Sequence, residues 1–155
     1  MKVGRFIKPS TITDAYWIIA DTGKPLNREK GGKWLIFRPL YEIDSAWSII
    51  REATLGNILG PKSKVATARP NSNASDINTK VICVYTSDFK DKEDVLRVRC
   101  ALVGLGFIEA LNYKTNLDTL AGNYGKNACI YRSDGLELIE RTDTELILPK
   151  GVLNG

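Results

Sequence analysis

The run Val81-Ile82-Cys83-Val84-Tyr85-Thr86 is apolar at successive positions instead of at alternate ones. A strand of that kind needs cover on both faces, so it belongs near the middle of a sheet. Two helical stripes are available to supply cover. Ile43, Ala46, Trp47 and Ile50 recur at i, i+3, i+4 and i+7, and Val95, Val98, Leu102 and Leu105 form the apolar face of a second helix over 91–105. The first helix, 43–54, is expected to end at Gly56 in a left-handed stop. The second carries an acidic N-terminal turn that suits the helix dipole, and Gly106 is its stop.

Strands are expected at 16–20, 33–38, 65–69, 81–86, 111–115 and 128–132, with edge strands at 136–139 and 145–148. The charged, glycine-containing stretch 24–32 and the polar stretches 70–80 and 116–127 read as loops. The resulting order β-β-α-β-β-α-β-β predicts an α+β fold: a curved, mainly antiparallel sheet with both helices on its convex face. At 155 residues the chain is read as a single domain, 1–155. No apolar run approaches the ~20 residues of a spanning helix, so a cytoplasmic location with no membrane association is expected.

Chemistry is constrained by what is missing. The chain has no histidine, which removes the usual acid/base group near neutral pH and the commonest metal ligand. Cys83, Cys100 and Cys129 are too scattered for a disulfide framework or a C-x-x-C metal site. We therefore expect no metal, no cofactor and no histidine-based catalysis. The formal net charge of +4 leans toward an anionic partner.

Strand alternation nominates site residues on the open face of the sheet. In 33–38, Trp34, Ile36 and Arg38 share one side and Leu35 and Phe37 the other. In 64–69, Val65, Thr67 and Arg69 are expected to face the open side, with Ala66 and Ala68 beneath a helix. Lys64 joins the open side only if the strand begins with a bulge. Lys114 lies mid-strand between Asn112 and Asn116, and Arg132 closes the sixth strand. Thr119-x-x-Gly122-x-Tyr124 adds a hydroxyl and backbone N–H groups suited to phosphate. Trp17 or Trp34 would offer a ring for base stacking, whereas Trp47 sits on its helix stripe and belongs to the core. The candidate ligand-binding set is thus Trp34, Arg38, Lys64, Thr67, Arg69, Lys114, Thr119, Tyr124 and Arg132. Lys24, Arg28 and Lys30 in the charged loop are expected to be minor, screened charges.

Four segments together carry a family resemblance. They are Gly32-Lys33-Trp34-Leu35-Ile36-Phe37, Lys64-Val65-Ala66-Thr67-Ala68-Arg69-Pro70-Asn71, the strand 81–86, and Tyr113-Lys114-Thr115-Asn116-Leu117-Asp118-Thr119-Leu120-Ala121-Gly122-Asn123-Tyr124. Over roughly residues 17–132 the chain resembles the basophilic-leukaemia-expressed protein family, a group also labelled phosphothreonine lyase, whose members are similar in fold to the messenger-RNA cap-binding initiation factor. The resemblance implies that fold. The function expected from it and from the basic balance is a binding module that holds a nucleotide, a phosphorylated ligand or single-stranded RNA on the open sheet face. The alternatives are a lyase acting by β-elimination with Lys114 as base, and a protein-interaction domain using the segment Leu146-Ile147-Leu148-Pro149. The lyase reading lacks its histidine acid, for which Tyr85, Tyr113 or Tyr124 would have to substitute.

Overall fold

The computed structural model describes residues 5–71, 78–121 and 129–141. Tyr124 and the expected edge strand at 145–148, with the Leu146–Pro149 segment, lie outside them. Among the described residues seven strands form one sheet: β1 (Trp17–Asp21), β2 (Gly32–Pro39), β3 (Lys62–Ala66), β4 (Thr79–Thr86), β5 (Leu111–Thr115), β6 (Tyr131–Ser133) and β7 (Ile139–Glu140). Their spatial order is β1-β3-β4-β2-β5-β6-β7, and every neighbouring pair is antiparallel. Helices α1 (Leu40–Leu55) and α2 (Lys92–Gly104) contribute to one apolar core on one face of the sheet. The α+β architecture expected from the hydrophobic pattern is the one observed.

The core explains the layering. Ile43, Ala46, Trp47 and Ile50 of α1 and Val95, Val98 and Leu102 of α2 are buried against Trp34, Ile36, Val65, Ile82 and Val84. Asp91 caps α2 by accepting from the Asp94 N–H, which satisfies one of the unpaired donors at a helix start. Gly106, at φ +105°, ends α2 as anticipated. The end of α1 differs: Gly56 keeps φ −85°, and Asn57 takes the left-handed conformation at φ 64°. Asparagine tolerates that region better than most residues, so the turn needs no glycine there.

The third strand is shifted. It spans Lys62–Ala66, three residues earlier than expected, and its faces are reversed. Val65 pairs with Ile82 on the helix side, while Lys64 pairs with Cys83 and Ile19 on the open side. Val65 is the bulkier apolar residue and takes the core position, and Ala66 lies opposite Trp17 on the open face. Lys64 thus reaches that face without a bulge.

Candidate anion-binding site on the open sheet face

Antiparallel register sorts the open face into rows, because directly paired residues project to the same side. One row runs Ile19, Lys64, Cys83, Leu35, Asn112, Arg132, Ile139. The adjacent row contains Asp21 opposite Lys62, then Tyr85 opposite Lys33 opposite Lys114. Lys33, Lys62, Lys64 and Lys114 therefore come from three strands onto one end of one face. The strand β4 between them is buried from Ile82 to Thr86. Its central, doubly covered position is what the apolar run required. On the open side the cover comes from lysine stems, which bury methylenes while directing their charge outward. Lys62 Nζ lies 4.8 Å and Lys33 Nζ 5.6 Å from the centre of the Tyr85 ring, and Lys64 Nζ lies 3.7 Å from that of Trp17.

A cavity of about 380 Å³ opens at this end of the face. Lys33, Lys62, Lys64 and Tyr85 line it from the sheet, Lys24, Leu26 and Arg28 from the β1–β2 loop, and Asn116, Thr119 and Leu120 from the short helix α3 (Asn116–Leu120). Two glycines allow close approaches here, Gly31 that of the loop and α3, and Gly32 that of the Tyr113 ring of β5. A side-chain carbon on Gly31 would lie 2.8 Å from Asn116 Nδ2, and one on Gly32 would lie 2.3 Å from the Tyr113 hydroxyl. The hydroxyl of Thr115 caps α3 by accepting from the Asp118 N–H.

Lys33 is the most perturbed cation of the group. Its Nζ donates to Asn116 Oδ1 at 3.0 Å and to Thr119 Oγ1 at 2.8 Å, and only 6% of the residue is exposed. Burial, with the Lys64 and Lys114 charges beside it, lowers its pKa from 10.5 to about 8. Burial likewise lowers Lys64 and Lys114. On β4 the same burial raises the Cys83 thiol and the Tyr85 phenol, so both stay neutral near neutral pH.

These shifts carry a pH signature. Between pH 8 and 10.5 the unfolded chain holds a proton on Lys33 that the folded chain has released. The Lys33 contribution to stability therefore rises with pH across that window, and below it the cost of the buried ammonium is felt in full. Lys33→Met is expected to be more stable than the parent by about 1–2 kcal/mol at neutral pH, after discounting for screening and lost hydrogen bonds. That advantage should shrink toward zero by about pH 10. Urea unfolding at the two pH values measures it, and an equal difference at both would contradict the burial cost.

Among the residues nominated from sequence, Lys64 and Thr119 line this cavity, and Lys114 lies in the row beside Lys33. The others are placed elsewhere. Trp34 is fully buried on the helix side, donating its indole N–H to Val95 O at 3.0 Å, because it shares with Ile36 the side of β2 that faces the core. Thr67 is also fully buried, its hydroxyl bonded to Ala15 O. Arg69 lies beyond the end of β3, with its guanidinium against the Tyr16 ring and on Asp14 O. Arg38, at the far end of β2, pairs with Glu109 at 2.5 Å. Arg132 shares the open face but bonds Asn112 Oδ1 at 2.8 Å, with three strands between it and the strand of Lys64. Sequence reasoning passed over Lys33 and Lys62, and named Tyr85 only as a substitute acid. Lys33 was accessible to it, because alternation puts Lys33 on the side of Leu35 and Phe37. Lys24 and Arg28, set aside as loop charges, prove to be part of the wall.

The family model described as basophilic leukemia-expressed protein Bles03 matches residues 26–119, more than half of the chain. The chain belongs to the Bles03 family. The matched segment runs from the middle of the β1–β2 loop to α3 and stops at Thr119, the hydroxyl that accepts from Lys33. It therefore takes in Lys33, Lys62, Lys64, Tyr85, Lys114 and Thr119, so the Bles03 region and the lysine-rich end of the sheet coincide. Arg132, β1, β6 and β7 fall outside it.

Proposed function

We propose that this Bles03-family chain is a binding module for a phosphate-bearing ligand of nucleotide size, held in the open-face cavity. The observation that carries this reading is the convergence of Lys33, Lys62 and Lys64 around Tyr85 in one pocket, with Lys24 and Arg28 on the loop above. The volume is at the small end of the range for small-molecule sites. Among the partners that a basic face admits, a bounded pocket of this volume favours a nucleotide or other phosphorylated small molecule over an extended RNA track. Lysines bind phosphate as point charges, and a bound dianion relieves the mutual repulsion of the amines. Asp21, opposite Lys62, is the one acidic residue among the described residues of the wall and disfavours a ligand that is anionic throughout.

Equilibrium titration with adenosine monophosphate, inorganic pyrophosphate and a short single-stranded RNA tests the reading. Lys64→Gln is expected to weaken the mononucleotide by roughly 1–3 kcal/mol, the range for a hydrogen bond to a charged group. Lys90→Gln, an exposed lysine outside the cavity wall, should change little. Affinity should fall as salt rises. RNA that binds while the mononucleotide does not would replace the pocket by a surface track. If all three ligands fail to bind, the proposal is wrong.

A further inference from the structure

An amine buried among other amines is more than an anchor for phosphate. We propose that Lys33 Nζ is a nucleophile that forms an imine with an aldehyde or ketone whose phosphate is held by the surrounding lysines. This rests on the anion-binding reading above and names the ligand class of the same cavity.

The geometry supplies each requirement. Lys33 Nζ is positioned by Asn116 Oδ1 and Thr119 Oγ1, two neutral acceptors. Among the described residues no carboxylate forms an ion pair with it. The charged influences from β3 and β5 are Lys64 and Lys114, while Asp118 of α3 is the weakest of its influences and Cys83 on β4 is neutral. A lysine both desolvated and crowded by cations is activated as a nucleophile, because its neutral form is favoured. A pKa of about 8 leaves an appreciable neutral fraction near neutral pH. Lys62 and Lys64 share the cavity wall with it and remain available to the phosphate.

In the step itself, the lone pair of neutral Nζ adds to the carbonyl carbon. The carbonyl π pair moves to oxygen, which takes up one of the two amine protons through solvent. The carbinolamine hydroxyl then leaves with the second proton as water, and the C=N bond forms. Amine and carbonyl give imine and water, with no oxidant or reductant.

Pyridoxal 5′-phosphate is a suitable probe, because it joins an aldehyde to a phosphate. The full chain is mixed with a sub-stoichiometric amount, reduced with borohydride to fix any imine as a secondary amine, digested and mapped by mass. Lys33 is expected to carry most of the label, at least about tenfold more than with pyridoxal, which lacks the phosphate. Adenosine monophosphate should suppress labelling, and labelling should rise as pH passes about 8. Lys33→Arg keeps the charge and should lose the label at that position only. If that variant does not fold, peptide mapping on the parent chain decides alone. Label spread over exposed Lys8, Lys30 and Lys90 with Lys33 untouched overturns the inference. If adenosine monophosphate binds but no imine is fixed, the inference falls while the anion site stands. Equal labelling of Lys33 by both aldehydes, without competition, keeps the nucleophile and removes the phosphate reading.

Discussion

Truncating Trp34 to alanine is expected to cost about 3–5 kcal/mol of stability, the range for removing a large aromatic side chain from a packed core. The indole is fully buried, donates to Val95 O and meets the Tyr113 ring edge-on at a centroid distance of 5.2 Å. It joins β2 to both α2 and β5, so its loss opens a cavity between the two layers. Urea denaturation reads the cost directly. A milder replacement, Trp34→Phe, separates packing from recognition. It should lower stability by about 1–2 kcal/mol, mainly through the lost hydrogen bond and volume, and leave affinity for adenosine monophosphate unchanged. A stacking role for Trp34 would require the opposite: affinity lost with little change in stability.

An effect of similar size is expected at Arg99, which is fully buried on α2. Its Nε donates to Ser133 O at 3.1 Å and its Nη1 to Phe107 O at 2.9 Å, and Nη2 reaches Glu109 O. One planar fork thus ties the helix to β6 and to the segment leading into β5. Arg99→Met fills similar volume but leaves three carbonyls without their donor. A loss of about 3–5 kcal/mol is expected, as for breaking a buried charged network from one side. Arg99→Lys should recover less than half of it, because an ammonium cannot match the fork. Hydrogen exchange should show amides in 107–113 and 131–133 losing protection ahead of those in β3 and β4. A loss below about 1 kcal/mol would mean that water satisfies the carbonyls and that the fork is dispensable.

The fold was legible because its strongest signals are local and periodic. The two apolar helix stripes, the doubly apolar strand 81–86 and the Gly106 stop each follow from spacing alone. The site was less legible, because a sheet face is a property of register, and register is set by partners distant in sequence. The third strand shows this. Its segment has an alanine at each alternate position over 66–68, which suggested a small face beneath a helix. Pairing of Val65 with Ile82 instead placed Ala66 and Lys64 on the open side. Arg69 then fell beyond the strand end. Trp34 was misjudged for a related reason: alternation groups it with Ile36 but does not say which group faces the helices. Lys33 escaped notice because a lysine at a strand start reads as a solvated end. Only α3 folding back over it, through Asn116 and Thr119, makes it a buried amine.

The strand order also bears on how the chain reaches this structure. The two earliest strands have no ladder with one another: β1 waits for β3, and β2 waits for β4 and β5. As the chain leaves the ribosome, Trp34, Ile36 and the apolar stripe of α1 therefore emerge before any strand that could pair with β2. Non-local pairing of this kind pays its loop-closure entropy before contacts repay it, and folds slowly. Unpaired apolar strands are the species most prone to associate in the meantime. The central strand of the mature sheet is thus the most vulnerable segment of the nascent one, and its exposure ends only when residues 79–86 arrive to pair with it.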